Sequence, residues 1–180
     1  MRAGVGLACV ALLVACTAVD HPVPAGQAFE ADDVRFVAPA GWQVRPPTGF
    51  QSQLNRTVVF LANQPLESEC RPAGGGLQCD SPLVDGLHAG GILVWWVARA
   101  CVAADCDLPA GPLVQVGNRQ GVHGPIEYGC DGAGYTERSA YYVTVTPQRV
   151  DVLLVCARDP TAATLDSLLG FLDAIHWRIP

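Results

Sequence analysis

The run from Arg138 to Trp177 constrains the fold more than any other part of the chain, because its apolar spacing passes from a strand period to a helix period across two turn signals. Arg138 to Thr146 alternates as a half-buried strand does, with Tyr141, Val143 and Val145 on one face and Tyr142, Thr144 and Thr146 on the other. Pro147-Gln148 interrupts it, and Arg149 to Cys156 follows with Val150, Val152 and Leu154 as its apolar set. A tight turn centred on Pro147-Gln148 would set Val145 opposite Val150, Val143 opposite Val152 and Tyr141 opposite Leu154, every apolar pair on one face. Leu153 and Val155 are apolar on the reverse face, so this second strand is expected to be central and covered on both sides. A helix is expected next. Asp159 can cap it, Pro160 suits its first position, and Leu165, Leu168, Leu169, Leu172 and Ile175 recur at helical spacing up to Trp177.

Upstream, Val34 to Val37 reads as a short strand, and Trp42 and Val44 continue on one face until Pro46-Pro47. Arg56 to Ala62 is a more buried strand, and Gly90 to Arg99 is apolar on both faces, hence central. Leu113 to Val116 and Ile126 to Tyr128 are weaker strand candidates, separated by Gly117, Gly121 and Gly124. Strands followed by one closing helix give an α+β class: a mostly antiparallel sheet, stapled by disulfides, with the C-terminal helix packed on one face. The pattern Phe36-Val37-Ala38-Pro39-Ala40-Gly41-Trp42, followed by hairpins and a helix closing at Ile175-His176-Trp177, resembles the PsbP-like lipoproteins of high-GC Gram-positive bacteria. That resemblance implies an envelope protein whose folded part runs from about Val34 to the C-terminus.

The N-terminus carries a second resemblance. Met1-Arg2 precedes a mostly apolar run from Ala3 to Ala15, and Leu13-Val14-Ala15-Cys16 resembles the lipobox of bacterial lipoproteins. In that family the cysteine sulfur receives a diacylglycerol and the chain is cut just before it, so Cys16 would become the lipidated first residue. The alternatives are an ordinary signal peptide and an uncleaved membrane helix; the run is well short of the roughly 20 apolar residues a spanning helix needs. Each buried methylene of an acyl chain contributes about 0.8 kcal/mol, so two or more chains anchor where one would not. Residues 1–15 are thus read as signal peptide, 16–32 as a flexible tether containing Pro22, Pro24 and Gly26, and 33–180 as one globular domain.

Composition removes whole classes of function. All 11 basic residues are Arg, they form no cluster, and the formal net charge is −6. Nucleic-acid binding needs Lys and Arg grouped against phosphates, and docking on an anionic lipid surface needs a basic face; neither is present in the sequence. The expected partners are the membrane, through the N-terminal lipid, and an envelope protein or lipid as ligand.

Six cysteines remain beyond Cys16 and the signal: Cys70, Cys79, Cys101, Cys106, Cys130 and Cys156. An even number in an exported chain reads as disulfides. Cys70 and Cys79 flank Pro72 and Gly74-Gly75-Gly76, a segment able to fold back, and Cys101 and Cys106 flank a short turn, which leaves Cys130 for Cys156. The competing reading is zinc held by Cys101 and Cys106, but no second close Cys or His pair completes a site. No cofactor is expected.

Candidate catalytic groups are sparse. There is no Gly-x-Ser-x-Gly elbow, no His-Glu-x-x-His helix and no phosphate-cradling glycine loop after a strand. His123 and Glu127 would share a face if residues 121–128 were extended, and Asp80, Asp85 and His88 fall in one polar loop; either set could hold a metal or move a proton, and either could simply be solvated. Trp95 and Trp96 must point to opposite faces of their strand, as two core residues or with one lining a groove. The function expected is a non-enzymatic binding or interaction module in the cell envelope, with Trp95, Trp96, His123 and Glu127 as possible binding residues. The alternative is a hydrolase-like envelope enzyme with a His/carboxylate site.

Overall fold

The structure is a computed structural model and describes residues 26, 28–31, 33–47, 52, 54–66, 70–73, 76–79, 87–101, 106–126, 130 and 135–178. Its main element is an antiparallel sheet in the order β3 (Gln43–Arg45), β4 (Asn55–Ala62), β7 (Gly91–Ala100), β11 (Arg149–Arg158), β10 (Glu137–Thr146), β9 (Arg119–Gly124) and β8 (Leu113–Val116). A hairpin of β5 (Cys70–Ala73) and β6 (Gly76–Cys79) stands apart from it, and a three-stranded sheet is formed by β1 (Ala28–Ala31), β2 (Val34–Val37) and β12 (His176–Trp177). The single helix among the described residues is α1 (Ala162–Asp173). The fold is therefore α+β, mostly antiparallel, with a C-terminal helix and, among the described residues, the disulfides Cys101–Cys106 and Cys130–Cys156.

β7 and β11 are buried along nearly their whole length and pair with each other from Gly91↔Arg158 to Ala100↔Arg149, as continuous apolar runs lead one to expect. The turn at Pro147-Gln148 is also where the sequence places it, with Thr146 opposite Arg149. Beyond it the expected register is wrong by one residue. A bulge at Val145 adds a residue to β10, so Tyr141 faces Leu153, Val143 faces Asp151 and Thr144 faces Val150. Because side chains alternate, one residue of shift exchanges the faces. Val150, Val152 and Leu154 pack with Tyr142 and Ala140 on one side, while Val143, Val145, Leu153 and Val155 join the other.

That other side carries the larger core. Onto it pack Val34 and Phe36 of β2, Trp177 of β12, and Leu168, Phe171 and Leu172 of α1. Phe36 meets the Phe171 ring edge-on at 5.3 Å and the Trp96 ring at 5.9 Å, so small sheet, helix and large sheet share one aromatic cluster. The opposite side is covered by connecting segments: Leu66 and Leu87 over Phe60 and Leu93, and Leu108 with Cys101 and Cys106 over Val97 and Val152.

Five expectations need correction. The helix is capped by Thr161, whose hydroxyl accepts from the Thr164 amide at 3.2 Å; Asp159 instead takes a positive φ of 44° and Pro160 precedes the cap. It ends at Asp173, and His176-Trp177 is extended because it completes β2 as an edge strand. Leu169, counted in the apolar stripe, is 52% exposed. β1 lies within residues 16–32, read above as tether: Phe29 stacks on Phe36 at 4.9 Å, and that contact recruits the segment to the sheet. Finally, β9 spans Arg119–Gly124, where glycines had been read as breaks, while Ile126 lies outside any strand and residues 127 and 128 lie outside the described residues. Gly121 sits in the strand because its place is closed: an added Cβ would lie 2.7 Å from the Tyr142 carbonyl oxygen.

Candidate functional site

Among the described residues Asp151 is the one charged side chain that is fully buried, with 0% exposure. Alternation along β11 puts it on the same crowded face as Leu153 and Val155, toward the small sheet. Its carboxylate accepts from four N–H groups: Trp96 Nε1 at 3.1 Å, Trp177 Nε1 at 3.0 Å, Arg149 Nε at 2.7 Å and Arg149 Nη2 at 3.1 Å. Arg149 also donates from Nη1 to Asp33 Oδ1 at 2.8 Å, just ahead of β2. Burial pushes the Asp151 carboxyl above the usual carboxylate range, while the Arg149 guanidinium and the two indole N–H groups pull it back; the upward direction prevails. Arg149 is raised in turn, its own burial being outweighed by Asp151 and Asp33. A buried carboxylate held by two indoles and an arginine is a clamp between elements.

Beside this clamp the sheet has a hollow of about 130 Å³ lined by Arg56, Ala98, Arg99, Ala100 and Arg149. Its floor is short because Ala98 and Ala100 fall two apart on β7, and its walls come from the neighbours in register, Arg56 opposite Ala98 on β4 and Arg149 opposite Ala100 on β11. Arg99 reaches the Asp107 carbonyl oxygen from Nη2 at 3.4 Å.

Among the described residues, those singled out from sequence lie at separate places in the fold. Trp96 is buried on the clamp side, 5.7 Å from the Trp177 ring, and has no face left for a ligand. Trp95, on the opposite side as alternation requires, is half-buried, stacks on Phe60 at 5.8 Å and donates to Thr57 Oγ1 at 3.0 Å. His123 stacks on Tyr141 at 4.7 Å, and its Nε2 is buried without a hydrogen-bond partner. Burial raises the Tyr141 phenol above its ordinary value. β9 ends at Gly124, before Pro125, and Glu127, which would have to align with His123, lies outside the described residues. His88 is exposed, while Asp80 and Asp85 lie outside the described residues, as does Cys16. Cys70 and Cys79 are direct register partners in the β5–β6 hairpin, as their spacing suggested. Cys101 and Cys106 are bridged with Cα atoms 5.4 Å apart, and Cys130 and Cys156 with Cα atoms 5.6 Å apart. Among the described residues no three His, Cys, Asp or Glu side chains gather as metal ligands, and no helix is long and apolar enough to cross a membrane.

Asp151 and Arg149 went unnoticed in the sequence although a signal was there: an acid and an arginine two apart inside an apolar run belong on one face of a strand and have to find partners there. No protein-family model, curated protein or solved structure matches the chain.

Proposed function

We propose that the protein is a lipid-anchored extracytoplasmic lipoprotein whose folded part acts as a non-enzymatic binding module in the cell envelope. The observation that carries the reading is Leu13-Val14-Ala15-Cys16 at the end of a short apolar run, the sequence a lipoprotein signal requires. Two disulfides in the folded part support it, since such bridges persist in oxidising compartments outside the cytoplasm. The likeness to PsbP-like lipoproteins adds support through the Pro39–Trp42 turn, where Gly41 takes φ of 81° and the Trp42 amide donates to the Pro39 carbonyl at 3.1 Å. The test is Cys16→Ala in the full chain. Membrane association and labelling by a palmitate analogue should both disappear, and unchanged membrane association would overturn the anchoring.

A second reading, an envelope enzyme, rests on the orphaned Nε2 of His123 beside Tyr141. It requires an activity that His123→Ala abolishes while the melting temperature holds.

A further inference from the structure

We infer that the protein forms a two-fold dimer by pairing its β8 edge with the β8 edge of a second copy, joining the two large sheets into one. The inference rests on the sheet alone and goes beyond the binding-module reading. β8 ends the seven-stranded order, so one side of its backbone has no neighbouring strand. The hairpin with β9 fixes which groups lie on that side. The His123 amide donates to the Pro112 carbonyl at 3.0 Å, so Pro112 faces β9. Backbone groups alternate from there: Val114 and Val116 turn toward β9, while Leu113 and Gln115 turn N–H and C=O outward. Among the described residues none bonds to those outward groups. Pro112 removes nothing from the edge, because its position faces β9. The other edges of the two larger sheets are guarded. β3 carries Arg45 and runs directly into Pro46-Pro47, β1 carries Glu30, which pairs with Arg178, and β12 is two residues long. β8 contains no charge and no proline, and its Leu113 is 67% exposed.

The partner that fits this edge is the chain itself. An antiparallel copy centred on Val114 sets Leu113 against Gln115 of the second copy and Gln115 against its Leu113, so each outward N–H meets an outward C=O. Val114 then stands opposite Val114 of the second copy on the core face, a β-branched pair at half-buried positions. On the reverse face Leu113 lies beside the stem of Gln115 of the second copy, which covers part of an apolar side chain otherwise in water. Charge permits the contact. The chain has a net charge of −6, yet residues 108–118 contain no ionisable side chain, so two identical edges meet without like charges opposed. β8 is only 4 residues long, so the association expected is weak, in the micromolar range.

The test uses the full chain in a density-matched nonionic detergent, with sedimentation velocity reporting mass against concentration. A reversible monomer–dimer equilibrium is expected. Leu113→Lys places a charge at an exposed edge position, and Gln115→Pro deletes an outward N–H while leaving the pairing to β9 intact. Each should weaken dimerisation by at least about tenfold with the melting temperature little changed, and Leu113→Lys decides alone if the proline variant fails to fold. Val114→Cys reads the register. Residues opposite each other at such a position have Cα atoms about 4.5 Å apart, within disulfide reach. That variant should give a covalent dimer on non-reducing gels, while Leu54→Cys, exposed ahead of β4 and away from β8 in the sheet order, should not. A chain that stays monomeric up to concentrations on the order of hundreds of micromolar would overturn the dimer, whether or not a foreign extended peptide binds it. So would dimers indifferent to Leu113→Lys, or cross-linking no faster at Val114→Cys than at Leu54→Cys. Each of these results leaves the anchoring test at Cys16 untouched.

Discussion

At Asp151 a carboxylate and two indoles hold together parts of the chain far apart in sequence: β11, β7 through Trp96, β12 through Trp177 and, by way of Arg149, the turn before β2. Removing one charge from such a pair leaves the other buried and uncompensated, which costs far more than the pair contributes. Arg149→Met should therefore destabilise the domain by about 3–5 kcal/mol in urea titrations. Asp151→Asn added to it should restore part of the loss, because an amide oxygen still accepts from the indoles and no charge stays behind. A double variant no more stable than Arg149→Met alone would argue that the carboxylate bears no uncompensated charge. The face that Asp151 shares with Leu153 and Val155 follows from alternation along β11, but its partners Trp96, Trp177 and, through Arg149, Asp33 come from distant parts of the chain and leave no signal in the local pattern.

Elements were legible where period and turn chemistry agreed. β7, β8 and β11 fall where their apolar runs lie, and α1 follows the Leu165, Leu168 and Leu172 spacing. β9 was not legible, because Gly121 and Gly124 are there to let Tyr142 and Pro109 approach the backbone, which imitates a turn signal. β12 was hidden inside a helical pattern, since Ile175 and Trp177 are buried in the same core as Leu168, Phe171 and Leu172 of the helix. Asn118 holds β12 in place: its amide donates to the Trp177 carbonyl at 2.9 Å and its oxygen accepts from the Trp177 amide at 2.9 Å. Next to it Gly117 has a φ of 53°, and a Cβ there would collide with the Ile175 carbonyl. Gly117→Ala should therefore cost more than the roughly 1–3 kcal/mol of a positive φ alone, read as a fall in melting temperature. Thr161→Ala removes the helix cap and should cost about 1 kcal/mol. The bridges should rank by the loop each closes: five residues apart for Cys101–Cys106 and 26 for Cys130–Cys156. Chain entropy gives about 2 and about 3.5 kcal/mol, so paired Ser substitutions at Cys130 and Cys156 should be the more damaging.

Because the clamp joins both sheets, its titration acts on the stability of the whole molecule. Asp151 has a folded pKa above the usual carboxylate value, burial being the first cause and Arg149 and the indoles opposing it. A raised folded value means that the native state binds its proton more tightly than the unfolded chain does. The resulting contribution is complete below about pH 3.9 and diminishes as pH rises through the shifted value. Tyr141 adds a second limb of the same sign at the alkaline end: its buried phenol is raised, so its contribution holds up to about pH 10 and is lost above that as the unfolded chain ionises first. Arg149, raised as well, keeps its charge throughout this range. Unfolding free energies measured in urea from acid to pH 11 should thus show one decline in the mildly acidic region and another beyond about pH 10. Asp151→Asn should flatten the first alone and Tyr141→Phe the second alone. A wild-type curve that instead gains stability between pH 4 and 6 through Asp151, with the gain lost in Asp151→Asn, would mean that Arg149 and the indoles outweigh burial and that the carboxylate is held below its usual range.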